Sequence, residues 1–218
     1  RVMKRAMHLR TVHKKITVIG ITGSVGKTTT KELLSCILKN LDAIATPIHV
    51  NTEMGVAQWL IRTLENKRDD WTGILIVEMG AYQKGEIKLL TEISKPQLGI
   101  ITFVGAQHLS LFGSLEAIRE AKGELFEALP TTGRAFLNHD NEASMPLASL
   151  CRCPITTVGT DSRADLCAFD IEETPARTRP ARTLSGWSDG GNGIRFSIES
   201  VSFDVPIVGT HTVTSILL

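Results

Sequence analysis

Apolar β-branched runs alternate with helical apolar stripes through most of this chain. Residues 16–21 are Ile-Thr-Val-Ile-Gly-Ile, which predicts a buried strand. From Lys27 a helical stripe follows, with Leu33, Leu34, Ile37, Leu38 and Leu41 on one face. Residues 42–46 predict a short second strand that Pro47 ends. Thr52 is placed to cap a helix with Glu53 in its first turn and Met54, Ala57, Leu60, Ile61 and Leu64 on its apolar face. The run 74–79 predicts a third strand, apolar on both faces as in a parallel sheet. A helix over 86–93, broken by Ser94-Lys-Pro96, leads to a fourth strand over 98–104.

Ser114 caps the next predicted helix, whose stripe runs Leu115, Ile118, position 122, Leu125 and Leu129. Residues 135–138 predict a fifth strand, 144–150 a short helix and 155–158 a sixth strand. The texture then changes. Residues 174–193 are rich in Arg, Pro, Thr and Gly, with a turn cluster at 189–193. Ile194, Phe196 and Ile198, then Val201, Phe203 and Val205, alternate with polar residues, the signature of a hairpin. Residues 165–207 thus predict a small antiparallel sheet, and Gly209-Thr-His211 leads into a further helix. Strands alternating with helices predict an α/β fold: a doubly wound, mostly parallel sheet with that antiparallel appendage.

Three places on this frame carry chemistry. Gly23-Ser-Val-Gly-Lys-Thr28 sits between the first strand and its helix. Strand, glycine loop, Lys-Thr and helix together make a phosphate-binding loop: amides and a helix N-terminus face the anion, the lysine meets the phosphates, and the hydroxyl serves Mg²⁺. The two glycines are only two residues apart, against the usual four, and a plain glycine turn would satisfy the same pattern. Glu78 ends an otherwise apolar strand, so its carboxylate either faces solvent or is hydrogen-bonded, paired or metal-bound. His108 follows the fourth strand. All three fall outside the carboxyl ends of strands, where open α/β sheets bind ligands. A fourth oddity is Lys122, a cation in a core-facing stripe. It must snorkel to water, meet an anion, or join a metal-linked group.

Bulk properties narrow the classes. The 218 residues suffice for one good core. Hydrophobic residues make up 42% and charged ones 22%, an ordinary globular balance, and a net charge of +1 disfavours nucleic-acid binding by bulk electrostatics. Cys36, Cys151, Cys153 and Cys167 show no metal-type spacing and read as free thiols of a reducing cytoplasm. No run approaches the ~20 apolar residues of a spanning helix, and membrane association is not indicated. Residues 1–15 carry six Lys and Arg and no acid. They read as a basic linker or frayed helix, or as a segment lying near a membrane or an upstream domain. The chain starts at Arg1 and stops inside the apolar run 216–218, so it reads as an excised piece: linker 1–15, then one domain over 16–218 with its C-terminal end truncated.

In order and at these distances, the motifs resemble the central, ATP-binding domain of the Mur ligases over about residues 16–215. Thr22-Gly-Ser-Val-Gly-Lys-Thr28 is similar to that family's shortened phosphate loop. Asn51-Thr-Glu-Met-Gly55 resembles its Asn-Asn-Glu-Ile-Gly, Val77-Glu-Met-Gly-Ala81 its Glu-Leu-Gly-Ala, and His108-Leu109 with Phe112-Gly-Ser114 its histidine loop. Ala121-Lys-Gly-Glu-Leu-Phe126 resembles its Ala-Lys-Gly-Glu-Ile-Phe helix. Gly209-Thr-His-Thr-Val-Thr-Ser215 departs from the family's Gly-x-His-Asn-x-x-Asn, with Thr212 and Ser215 in place of both asparagines.

The resemblance implies an ATP-dependent amide ligase of peptidoglycan precursor synthesis in the cytoplasm. It would activate a carboxylate as an acyl-phosphate for attack by an amine. The expected substrates are a UDP-linked muramoyl tripeptide and D-Ala-D-Ala, engaged through further domains, so the isolated piece would bind ATP without turnover. Thr22, Gly23, Ser24, Val25, Gly26, Lys27, Thr28, Thr29, Asn51 and Glu53 would surround ATP. Thr28 and Glu78 would bind a first Mg²⁺, and His108 would help hold a second. Lys122 would be carbamylated by CO₂ and ligate metal. Lys27, His108 and Lys122 are the implied catalytic residues. The alternatives are a folylpolyglutamate synthase-like or other ligase sharing the ATP domain, and a nucleotide-binding module without turnover.

Overall fold

The computed structural model describes residues 1–174, 192–205 and 210–218. The turn cluster at 189–193 falls largely outside the described residues, as do Pro206 and Gly209. Among the described residues nine strands form one sheet: β1 (Thr17–Thr22), β2 (Ala43–Ala45), β3 (Ile74–Glu78), β4 (Leu98–Ile101), β5 (Arg134–Asn138), β6 (Ile155–Gly159), β7 (Leu166–Thr174), β8 (Gly193–Ile198) and β9 (Val201–Val205). Their order is β2-β3-β1-β4-β5-β6-β7-β8-β9. Pairing is parallel from β2 to β7 and antiparallel from β7 to β9, so the appendage continues the main sheet edge to edge. The helices are α1 (Val2–Val12), α2 (Lys27–Ile37), α3 (Glu53–Leu64), α4 (Glu86–Ser94), α5 (Leu109–Phe112), α6 (Leu115–Glu127) and α7 (Val213–Leu217).

Strand alternation divides the interior into two faces. Val18, Leu75, Val77 and Ile101 point to the face covered by α1, α3, α4 and α6. Ile19, Ile21, Ile76 and Ile100 point to the other, covered by Leu34 of α2, Leu38 just after it, and Leu217 and Leu218. Helix α6 lies tight on the first face because Gly20 and Gly99 sit beneath it. A Cβ on either would come within 2.9 Å of Leu125 or Leu129. Both helix caps foreseen in the sequence are made: Thr52 accepts from Gly55 N–H and Ser114 from Ala117 N–H.

Three local readings need correction. Residues 1–15 are no linker: α1 is docked on α3 and α4, with Ala6 and Arg10 buried. The cause is Arg10. Its guanidinium donates to the carbonyls of Ser94 (2.8 Å), His13 (2.8 Å) and Lys95 (3.3 Å), capping the C-terminal end of α4, where carbonyls lack partners. Second, the stripe on α2 is narrower than predicted. Ile37 and Leu41 are exposed, and the fully buried positions are Thr30 and Lys31. Third, β4 stops at Ile101, because Thr102 turns its hydroxyl to the Val25 carbonyl (2.6 Å) and so joins the glycine loop.

Replacing Arg10 by Met should lower unfolding free energy by about 2–4 kcal/mol, since several charge-assisted bonds to buried carbonyls are lost. Urea denaturation measures this, and an unchanged midpoint would show that α1 contributes nothing to the fold.

Candidate active site

The glycine loop is fastened to the sheet by its own side chains and by Thr102. Gly26 precedes α2 with φ 85°, a left-handed conformation that glycine adopts without strain. A Cβ on Gly23 would meet the Thr102 hydroxyl at 1.9 Å, so only glycine lets the loop lie against β4. Ser24 spends its hydroxyl on this anchoring: it donates to the Gly105 carbonyl (2.9 Å) and accepts from Gly105 N–H (3.0 Å). Thr22 donates to the Met79 carbonyl at 2.9 Å, tying the loop to the end of β3. Beyond Gly26 the first-turn amides of α2 lack intrahelical acceptors, which leaves a cradle for an anion. The Lys27 amine folds back on the Gly23 carbonyl (2.7 Å) and the Ser24 carbonyl (3.3 Å). Burial lowers its pKa, and Glu78 works in the opposite direction.

Glu78 is the centre of the second group. Its carboxylate is only 3% exposed, which excludes the solvent-facing alternative. The Thr28 hydroxyl lies 3.2 and 3.1 Å from its two oxygens. Asn51 Nδ2 donates to Oε1 at 3.2 Å, and the Lys31 ammonium stands 3.4 Å from Oε2. The Glu78 amide is itself bonded to the Thr46 hydroxyl (3.1 Å), and Gly80 N–H to the Asn51 carbonyl (2.8 Å). Thr28 and Glu78 together offer a hydroxyl and a carboxylate beside a phosphate cradle. Hard oxygen donors of this kind, completed by phosphate and water, suit Mg²⁺. Among the described residues no group of three or more His, Cys, Asp or Glu converges as a ready-made metal cage.

Lys122 is 4% exposed, buried as its place in the stripe predicted. Desolvation, and then the charge of Lys27, lowers its pKa to about 7. The amine is therefore close enough to Lys27 to feel its charge and is largely neutral above neutrality. His108 is exposed at the N-terminal end of α5, with φ 56°, and its ring meets the Tyr82 ring edge-on at 4.9 Å. Glu53 is half-buried in the first turn of α3, outside the hydrogen-bond set around Glu78. Thr29 and Gly26 line a cleft of about 780 Å³ together with Phe103, Asn138, Asp140, Thr160, Thr212 and Ser215. The two positions that depart from the asparagine pattern thus lie beside the loop.

Sequence reading missed three side chains that shape this site. Lys31 is one. Glu124 is another: buried, it accepts from Gly85 N–H (2.7 Å) and Lys88 N–H (2.8 Å) and holds the N-terminal end of α4 against α6. The third is Tyr82, whose amide with that of Gln83 donates to the Glu86 carboxylate (2.6 and 3.2 Å). A carboxylate at a helix N-terminus was a usable signal for Glu86. The other contacts cross between elements and have no local signature.

Comparison with known proteins identifies the family and the fold. The family model of the Mur ligase middle domain matches residues 21–218. The UDP-N-acetylmuramoyl-tripeptide–D-alanyl-D-alanine ligase of Mycobacterium tuberculosis is 39% identical over 170 residues, 78% of this chain and 32% of the relative. That of Synechocystis is 34% identical over 209 residues, 93% of this chain and 39% of the relative. The chain thus spans about a third of the length of the curated relatives it matches. Among solved structures, MurF from Acinetobacter baumannii superposes with a TM-score of 0.80 at 25% identity, covering 98% of this chain and 44% of that one. MurF ligase from Thermotoga maritima in complex with ADP gives 0.74 at 25% identity, over 99% of this chain and 47% of that one. The chain therefore belongs to the Mur ligase family, as its middle domain.

Proposed function

We propose that this chain is the ATP·Mg²⁺-binding part of a cytoplasmic ligase that joins D-Ala-D-Ala to a UDP-linked muramoyl tripeptide through an acyl-phosphate. The observation that carries the reading is the contact of Thr28 with Glu78 beside the glycine loop, within electrostatic reach of Lys27. Relatives named for that reaction and a structural neighbour holding ADP support it. No described helix is long and apolar enough to cross a membrane. Folylpolyglutamate synthase from L. casei shares the fold, at 14% identity and a TM-score of 0.59. That likeness reaches only the architecture, and the Glu78–Asn51 contact gives no ground to prefer it.

In this reading the loop amides and Lys27 take the β- and γ-phosphates, Lys27 leaving the carbonyls it now bonds. Thr28 and Glu78 hold the first Mg²⁺, which supplies charge neutralisation to the transferring phosphoryl group. The protein's share is positioning and preorganised charge rather than covalent chemistry. Lys122, largely neutral above pH 7, can add to CO₂. Its amine forms the N–C bond, one proton leaves to solvent, and a carbamate replaces the amine. The site then exchanges a largely neutral buried amine for an anion beside Lys27. A second Mg²⁺ would draw on that carbamate and on His108, which Tyr82 holds edge-on.

Two outcomes test this. In CO₂-free buffer the native Lys122 pKa of about 7 lies well below the ordinary lysine value. Between the two, the unfolded chain binds a proton that the native chain does not. Stability should therefore rise with pH from about 7 to 10, by up to about 1.4 kcal/mol per unit from this one group. Lys122→Met should remove that slope in urea titrations, and identical slopes would contradict the burial argument. In the intact ligase, phosphate release should require UDP-muramoyl-tripeptide with D-Ala-D-Ala and should not respond to folate with glutamate. Lys122→Ala should abolish it, with partial recovery in added short carboxylates. Activity undiminished by the substitution would refute the carbamate.

A further inference from the structure

A buried ammonium that no step above uses lies directly behind the Glu78 carboxylate. Lys31 sits one turn into α2, and its side chain is 0% exposed. Among the described residues its Nζ makes no hydrogen bond and is held by two ion pairs, at 3.3 Å to Glu32 and 3.4 Å to Glu78. Glu32 is half exposed and can satisfy itself with water, whereas Glu78 is sealed. The fold gives no reason for this cation. Dehydrating an ammonium costs several kcal/mol, and an apolar residue of similar volume usually serves a core at least as well. Leu34 of α2 and Leu38 just after it already serve the core there.

The arrangement around Glu78 gives the reason the fold lacks. Asn51 takes one oxygen, Lys31 the other, and Thr28 faces both. Without Lys31 a fixed negative charge would stand next to the hydroxyl that borders the phosphate cradle, repelling the polyphosphate it must help bind.

We propose that Lys31 is a positioning residue. It fixes the Glu78 carboxylate and balances its charge, so that the loop accepts a nucleotide diphosphate or triphosphate before the divalent cation arrives. This rests on the nucleotide reading of the loop. Lys31 touches neither phosphate nor metal in this scheme and acts through Glu78.

The test is the metal dependence of ADP affinity, measured by calorimetry on this chain at pH 8, in Mg²⁺ and again in EDTA. Lys31→Met should raise the ratio of the two dissociation constants about tenfold, because only metal can then neutralise Glu78. In a Glu78→Gln background the same substitution should change the ratio by less than about twofold, as a contact acting through one partner requires. A ratio that Lys31→Met leaves unmoved, or moves equally in both backgrounds, overturns the proposal. Lys31→Met failing to fold while Lys31→Met/Glu78→Gln folds supports it, since the lone carboxylate is then the fault. Both failing to fold overturns it, making Lys31 a core residue. Native chain that binds no ADP in Mg²⁺ refutes the nucleotide reading itself, and the inference with it.

Discussion

A carboxylate sealed at the carboxyl end of a parallel strand is tolerable only if every neighbour answers it, and this site is built around that demand. Glu78 is answered by a hydroxyl from α2, an amide from the segment before α3 and an ammonium from within α2. Those three contacts bring together the glycine loop, the 47–52 segment and β3. Burial makes each contact stronger than it would be in water, and makes the loss of any one expensive. Thr46 and Asn51 extend the same network to the backbone on either side of β3. The phosphate cradle is thereby held in place by the same group that is suited to receive magnesium.

The second constraint is steric. Helix α6 can carry Lys122 toward the loop only because Gly20 and Gly99 remove side chains from the strands below it. That close approach buries the amine, and burial with Lys27 nearby makes it largely neutral above pH 7. Packing thus produces an electrostatic property: a small residue on a strand tunes the protonation of a lysine on the helix above. Glu124, on the same helix, pins the start of α4, so α6 organises both its own amine and the loop that carries Tyr82 toward His108.

Much of this was legible in the residue order. The α/β alternation, the caps at Thr52 and Ser114, the loop at 22–28 and the misplaced polar groups Glu78 and Lys122 each break or mark a local rule. What escaped was non-local. Arg10 reads as one more basic residue in a charged tail until α4 offers its bare carbonyls. Lys31 carries no local mark, because its partner Glu78 is distant in sequence and meets it only once the strands are paired. Ile37 and Leu41 fit the stripe by period but overrun the edge of the sheet. Periodicity finds which face is apolar, and only topology decides how far the cover extends.

The central claim is that Thr28 and Glu78 form one divalent-cation site at the foot of the phosphate loop. A crystal of this chain grown with ADP and Mn²⁺, read by anomalous scattering, tests it most directly. The account requires a manganese peak bridging the Thr28 hydroxyl, the Glu78 carboxylate and a β-phosphate oxygen. A peak held by other side chains, with Glu78 still bonded to Thr28 and Asn51, would contradict it.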